Sequence, residues 1–326
     1  MEAREAVALA IVSRAGRGAG ALALCFVSTA WAASDTLRVT LLGTGNPRPS
    51  LERFGPSILV EAGDQRLLID AGRGAATRLF QIGQAKLLSG IDEVFLTHLH
   101  SDHIVGLPDV WLTGWIFGRT RPLPILGPPG TERMLSGLKQ AFEFDSAMRR
   151  SDERLPEEGI GVDAHDIEPG VVYQHGKLKV TAFAVDHGSV KPAYGYRVDY
   201  GARSVAFSGD TRFSEELIER TRGVDVLVHE VVSPEVERQR AQVQDSARVE
   251  RIIAHHTTPE DAGRVFARVA PRLAVYSHIV PTPTRPRDLI PPTRTTYKGP
   301  LQVGYDLMLI VIGERIEVSK RHVIKD

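Results

Sequence analysis

Apolar and polar residues alternate over residues 37–42, and the run closes in Gly43-Thr44-Gly45, a strand entering a tight loop. Residues 57–62 and 66–70 repeat the pattern on either side of Gly63-Asp64-Gln65 and predict a β-hairpin. Residues 75–90 predict a helix with its connector. The acidic-then-apolar run Asp92-Glu93-Val94-Phe95-Leu96 predicts a short buried strand. From 104 to 117 the period becomes helical, with Trp111 and Trp115 four residues apart, a core stripe or a pocket wall. A strand over 123–126 and the breaker Gly127-Pro128-Pro129-Gly130-Thr131 precede a helix over 132–143. Residues 145–159 are charged and irregular; a cover for a site mouth is one reading of them.

The second half reads the same way. A strand is predicted over 177–185, a hairpin over 194–200 and 203–207 around Gly201, and a strand over 224–228. A polar helix over 234–252 follows. Thr258-Pro259-Glu260-Asp261 has the order N-cap, first helical residue, capping-box acid, and starts a helix that runs to about residue 269. A strand over 272–276, a proline-rich loop and a hairpin over 306–312 and 316–319 complete the chain. There is no internal repeat and no flexible linker, so residues 33–326 predict one domain.

Composition narrows the picture. Of 326 residues, 40 are Lys or Arg and 40 are Asp or Glu, so no global positive field points to nucleic acid. The single cysteine, Cys25, excludes both a disulfide framework and a thiolate zinc site. Arg4, Arg14 and Arg17, a short apolar core over 20–27 and the small-residue site Ala30-Trp31-Ala32 predict an export signal over residues 1–32 that is removed. That core is too short to span a bilayer, and Leu24 is too bulky for lipid attachment at Cys25. The expected location is therefore periplasmic or secreted, without a stable membrane anchor.

The chemistry concentrates in Thr97-His98-Leu99-His100-Ser101-Asp102-His103, where a strand gives way to a loop. Histidine is 11 of 326 residues, so three fixed histidines with one aspartate arise by chance on the order of 10⁻⁶ per window. A loop lets neighbouring side chains converge, which a strand forbids, and imidazole with carboxylate suits zinc or a similar divalent ion. Later strand ends deliver His187, Asp210, Glu230 and His278. His256 stands two residues before the N-cap Thr258, a fixed place of positive potential. Asp70 reads equally as an acceptor that orients a ligand histidine and as a plain turn residue.

His98-Leu99-His100-Ser101-Asp102-His103 resembles the HxHxDH signature of the metallo-β-lactamase-fold hydrolases. The stretches LLGTGNPRPS, DAGRG, GPPGT, SGDTR, VHE, HHTT and SHI make the whole similar to that superfamily's ribonuclease Z-like branch. The resemblance implies an α/β fold, the four-layer αβ/βα sandwich. It implies two Zn²⁺ per chain, Mn²⁺ or Fe²⁺ also fitting these ligands. His98, His100 and His187 would hold one metal and Asp102, His103 and His278 the other, with Asp210 bridging. A hydroxide shared by the metals would attack, Asp102 would belong to the catalytic set, and His256, oriented by Glu230, would act as general acid.

Two departures shape the expected function. The branch's long tRNA-gripping arm is replaced by Tyr200-Gly201-Ala202-Arg203-Ser204, and its PxKxRN loop appears as Pro49-Ser50-Leu51-Glu52-Arg53-Phe54. The expectation is an exported hydrolase of phosphodiesters or aryl sulfates. Its expected partners are a small anionic ester and a second copy of the chain in a homodimer, with no nucleic acid. A tRNA 3′-end endonuclease is the alternative, and a lactonase or β-lactamase a further one. Arg285 and Arg287, in the loop after His278, are the candidate anion clamp.

Overall fold

The computed structural model describes residues 35–240 and 246–324. The export signal expected over residues 1–32 lies outside the described residues. In chain order the strands are β1 (Leu37–Gly43), β2 (Ser57–Ala62), β3 (Gln65–Ile69), β4 (Glu93–Phe95), β5 (Leu123–Gly127), β6 (Val162–Asp166), β7 (Gly170–His175) and β8 (Leu178–Ala184). They continue as β9 (Tyr194–Tyr200), β10 (Arg203–Phe207), β11 (Val226–Val232), β12 (Leu273–Val280), β13 (Leu301–Val303), β14 (Met308–Ile312) and β15 (Ile316–Lys320). Eight form one sheet in the order β15-β14-β1-β2-β3-β4-β5-β6, and seven form a second in the order β13-β12-β11-β10-β9-β8-β7.

The sheets face each other, and the alternation of side chains sorts residues between layers. Leu67 and Ile69 of β3, Val226 and Val228 of β11 and Ile310 of β14 point into the core between the sheets. Leu68 and Val94 point outward instead, under helices α1 (Ala75–Ser89) and, past the short α2 (Ser101–Ile104), α3 (Leu107–Ile116) and α4 (Thr131–Ala141). After α5 (Glu143–Asp152), the other outer face is covered by α6 (Glu215–Thr221) and, beyond α7 (Pro234–Arg240) and α8 (Ser246–Ala254), by α9 (Pro259–Val269) and α10 (Pro286–Thr293). The result is the four-layer αβ/βα sandwich. Strands covered on both faces, such as β11, are buried along their whole length, and β11 is apolar but for His229 and Glu230.

Trp111 and Trp115 are core residues, 2% and 0% exposed. Their indole N–H groups donate to the carbonyls of Ile160 and Pro156 at 2.9 and 2.7 Å. Those bonds hold the segment 145–159 against α3. Most of its first half is helix α5, contrary to the irregular reading, and none of it lines the cleft described below. The helix buries none of its residues, and ion pairs one turn apart support it, Asp145 to Arg149 at 3.1 Å and Arg149 to Glu153 at 2.7 Å. Within the expected helix over 234–252, α7 and α8 are described, and residues 241–245 between them lie outside the described residues.

Glu93 opens β4 with a buried Oε2 that has no hydrogen-bond partner. Burial pushes its carboxyl up from 4.5 to about 7, with nearby Arg121 opposing. A raised carboxyl destabilises the fold only where the unfolded chain is ionised, so the penalty grows from pH 4.5 and is complete above pH 7. Glu93→Gln is therefore expected to add roughly 1–2 kcal/mol at pH 8, after allowance for solvent screening, and little at pH 4.5. Denaturant unfolding at the two pH values checks this; equal gains at both would remove the explanation.

Candidate metal centre

The ends of β4, β8, β10, β11 and β12 open onto one edge of the sandwich. After β4 the chain turns through His98 and His100 into α2, which carries Asp102 and His103. The turn after β3 fixes that helix. Ala71 donates its N–H to the His103 carbonyl at 2.8 Å, and Gly106 donates to the Ala71 carbonyl at 2.9 Å. Gly72 is required there, because a Cβ would meet the Asp102 carbonyl oxygen.

Asp70 is an orienting acceptor. It sits at φ 56°, a left-handed conformation that aspartate tolerates. Its Oδ1 accepts the Thr97 N–H and its Oδ2 the Thr97 hydroxyl, both at 2.8 Å. The same Oδ2 lies 2.7 Å from Nδ1 of His103, which leaves Nε2 aimed into the site. Asp70→Asn is expected to weaken metal affinity about 10- to 100-fold, as losses of orienting partners do. Metal titration checks it; unchanged affinity would return Asp70 to the status of a turn residue.

The ligand-type atoms form overlapping groups: His98, His100, His187 and Asp210; Asp102, His103 and His278; and Asp210, His256 and His278, the atoms of each group lying within 4.8 Å of one another. Nε2 of His98 and of His187 stand 2.9 and 3.3 Å from Nδ1 of His100, and each is 3.8 Å from Oδ2 of Asp210. Oδ1 of Asp210 faces the other way, 3.4 Å from His103 Nε2 and 3.4 Å from His278 Nδ1. Asp102 Oδ2 is 3.2 Å from His278 Nε2. One carboxylate thus addresses both groups with separate oxygens. His278 reaches its place from a backbone at φ 42° inside β12, a conformation costing on the order of 1–3 kcal/mol that the paired strand sustains.

The donor set fits divalent cations. His103 Nε2, His278 Nδ1 and Asp210 Oδ1 are buried without hydrogen-bond partners, a costly state that a shared cation removes. Burial pushes the His98, His100 and His187 imidazoles below their usual value, so they stand neutral with a lone pair to offer. Burial would raise Asp210, but His278 and His103 hold its carboxyl well below the usual range. Nδ1 of His187 faces the His255 carbonyl at 3.0 Å, a positioning contact that the spacing of the histidines did not disclose.

His256 stands beside these groups, its ring 5.6 Å from that of His278. Its Nδ1 is 3.3 Å from Oε2 of Glu230. The other oxygen of Glu230 accepts the Thr257 N–H at 2.9 Å, so the carboxylate is fixed. Burial lowers the His256 imidazole, but Glu230 outweighs it and brings it up to about 9. His256 therefore stands charged at neutral pH.

A cleft of about 920 Å³ opens above the groups, with His100, Asp102, His187, Asp210, His256 and His278 in its lining. Arg285 and Arg287 do not line it. The segment after His278 folds into α10, because Pro286 presets the first helical residue and Asp288 Oδ2 accepts the Arg285 N–H at 2.8 Å. That helix packs on α9 and leaves the Arg287 side chain 72% exposed. The arginines in the cleft wall are Arg48, Arg240 and Arg248, which sequence reasoning missed. A polar helix following Val228-His229-Glu230 was the available signal for Arg240 and Arg248.

Residues 65–279 match the family model described as a beta-lactamase superfamily domain. A protein of Mycobacterium bovis (strain BCG / Pasteur 1173P2) named Ribonuclease Z is 33% identical over 290 residues, which cover 87% of this chain and 99% of that one. The chain belongs to the metallo-β-lactamase superfamily, in its ribonuclease Z-like branch. Solved structures agree on the fold. Human tRNase Z, short form, superposes with a TM-score of 0.62 at 21% identity, covering 84% of this chain and 98% of that one. The metallo-beta-lactamase fold protein YhfI from Bacillus subtilis gives 0.62 at 19%, covering 87% and 100%.

As a member of this superfamily the chain is a hydrolase with a divalent-metal type of site. The relatives correct the expectation of an arylsulfatase or small-ester phosphodiesterase that meets no nucleic acid, since the similarity to a protein named Ribonuclease Z runs nearly end to end. That expectation leaned on a net charge of zero, on a short turn between β9 and β10, on the altered loop Pro49-Ser50-Leu51-Glu52-Arg53-Phe54 and on the expected export signal. The turn is as short as expected. Net charge, however, is a sum over the surface and does not say where charge gathers; Arg48, Arg240 and Arg248 stand in one cleft wall, with Asp102, Asp210 and Glu237 in the same lining.

Proposed function

We propose that the chain is a ribonuclease Z-type endonuclease that hydrolyses a phosphodiester of RNA at the 3′ end of tRNA precursors, with zinc as its metal. The observation that carries the reading is the pair of His256 and buried Glu230, set against the two ligand groups in a cleft whose wall carries three arginines. Near-complete similarity to a relative named for this activity supports it.

His98, His100 and His187 would hold one zinc ion, and Asp102, His103 and His278 the other, with one oxygen of Asp210 toward each. Bound there, a pair of zinc ions supplies positive charge against the phosphate and acidifies the attacking water. The residues of the chain do the remainder. His256, charged through Glu230, gives its proton to the oxygen that leaves phosphorus as water adds. Glu230 holds that imidazole in place through its own bonds to backbone N–H groups.

Incubating the metal-loaded protein with a tRNA precursor bearing a 3′ trailer tests the proposal. Cleavage at the trailer junction, lost with chelator and restored by zinc, is expected. An intact precursor beside rapid hydrolysis of nitrophenyl sulfate or carboxyl esters would overturn it.

A further inference from the structure

Two guanidinium groups from distant parts of the chain meet in the cleft wall beside the strand end that carries His278. Arg48 lies in the loop after β1, and Arg240 is the last residue of α7. Nη1 of Arg240 donates to the Thr282 carbonyl at 2.8 Å, and Nη1 of Arg48 donates to the same oxygen at 3.4 Å. The loop bearing Arg48 is pinned. Asn46 Nδ2 donates to the Ile279 carbonyl at 2.7 Å and to the Thr282 hydroxyl at 3.1 Å, and Asn46 Oδ1 accepts the Arg48 N–H at 3.0 Å.

Each guanidinium has five N–H donors, and the shared carbonyl takes one from each. Among the described residues, neither is within ion-pair distance of a carboxylate. Two like charges held on one neutral acceptor repel, and an anion lodged between them removes the repulsion while engaging the remaining donors. The planar forks match phosphate oxygens. The ligand groups and His256 already surround the place of the reacting phosphate, whereas these forks stand on the wall beside it.

We propose that Arg48 and Arg240 together form a subsite for a second phosphate of the RNA strand, next to the one that is attacked. The subsite rests on the RNA reading of the cleft. It makes the protein select a strand with consecutive phosphates over an isolated diester.

Equilibrium binding of diuridine probes, each with methylene in place of the bridging 3′ oxygen so that it is not cut, to the metal-loaded full chain tests this: UpU, and its forms with a terminal phosphate at either end, pUpU and UpUp. One phosphorylated form is expected to bind tighter than UpU by roughly tenfold or more. In Arg48→Ala plus Arg240→Ala that preference is expected to fall below about twofold, and the salt slope of binding to single-stranded RNA to drop by about 0.7. Arg48→Lys plus Arg240→Lys is expected to keep part of the preference, because charge survives and the fork does not. Equal binding of all three probes by the unaltered protein, or a preference that survives in the alanine variant, would overturn the subsite. A phosphate preference in a protein that leaves RNA uncut would sustain the subsite and sink the nuclease reading. RNA cleavage without any preference would do the reverse.

Discussion

Asp210→Ala is expected to lower kcat/KM by about 10⁴-fold or more, on the order of 5 kcal/mol of lost transition-state stabilisation. The same variant is expected to purify with at most one metal where the unaltered chain is expected to hold two. The reason lies in how the carboxylate is shared. Its two oxygens face different groups, Oδ2 toward His98 and His187 and Oδ1 toward His103 and His278. Removing it takes one ligand from each group together with the negative charge that would lie between two cations. The side chain is 3% exposed, so water replaces it poorly. Metal analysis beside steady-state kinetics checks both expectations, and a variant that retains two metals would rule out the bridging role.

The second large effect belongs to His256. His256→Ala is expected to reduce kcat on RNA by about 10²- to 10⁴-fold, the span for loss of a general acid, with metal content unchanged. Its imidazole must be charged to donate a proton. Glu230 keeps it charged, and the ordinary value of 6.5 would leave it largely neutral at pH 8. The sign follows directly. Taking away the Glu230 charge lowers the imidazole, so in Glu230→Gln the alkaline limb of the rate profile moves to lower pH. A limb that stays in place while kcat falls would show that Glu230 supports only the local fold. Full activity in His256→Ala would remove the general acid and favour chemistry at a carbonyl.

Much of this site was legible before any coordinates. His98, His100, Asp102 and His103 declare themselves by density, because so many polar side chains in one loop need a common partner. His187, Asp210 and His278 are single residues, legible only because each ends an apolar run and because the whole resembles a known branch. That each comes within 4.8 Å of the other ligand atoms of its group depends on which strands neighbour one another, and local pattern does not carry that. The edge strands β6 and β7 escaped the pattern for a related reason. Val162–Asp166 buries only Val162 and Gly170–His175 buries no residue, so neither shows a clear buried face in the sequence, and pairing with β5 and β8 makes them strands. The proline-rich stretch after His278 misled, because prolines that stiffen a loop also suit the first turn of a helix.

The four-layer sandwich and the roles of His256 and Glu230 were expectations from the resemblance; by itself the amino-acid sequence determined the succession of strands and helices and the kinds of metal-ligating atom available. These are properties of periodicity and of side-chain chemistry, which act over a few residues. Tertiary structure alone decided that Asp70 aims His103, that the His255 carbonyl faces His187 Nδ1, and that Arg48 and Arg240, not Arg285 and Arg287, line the cleft. Each of those contacts joins residues far apart in the chain, and at such separation the packing of the two sheets and their helices chooses the neighbours.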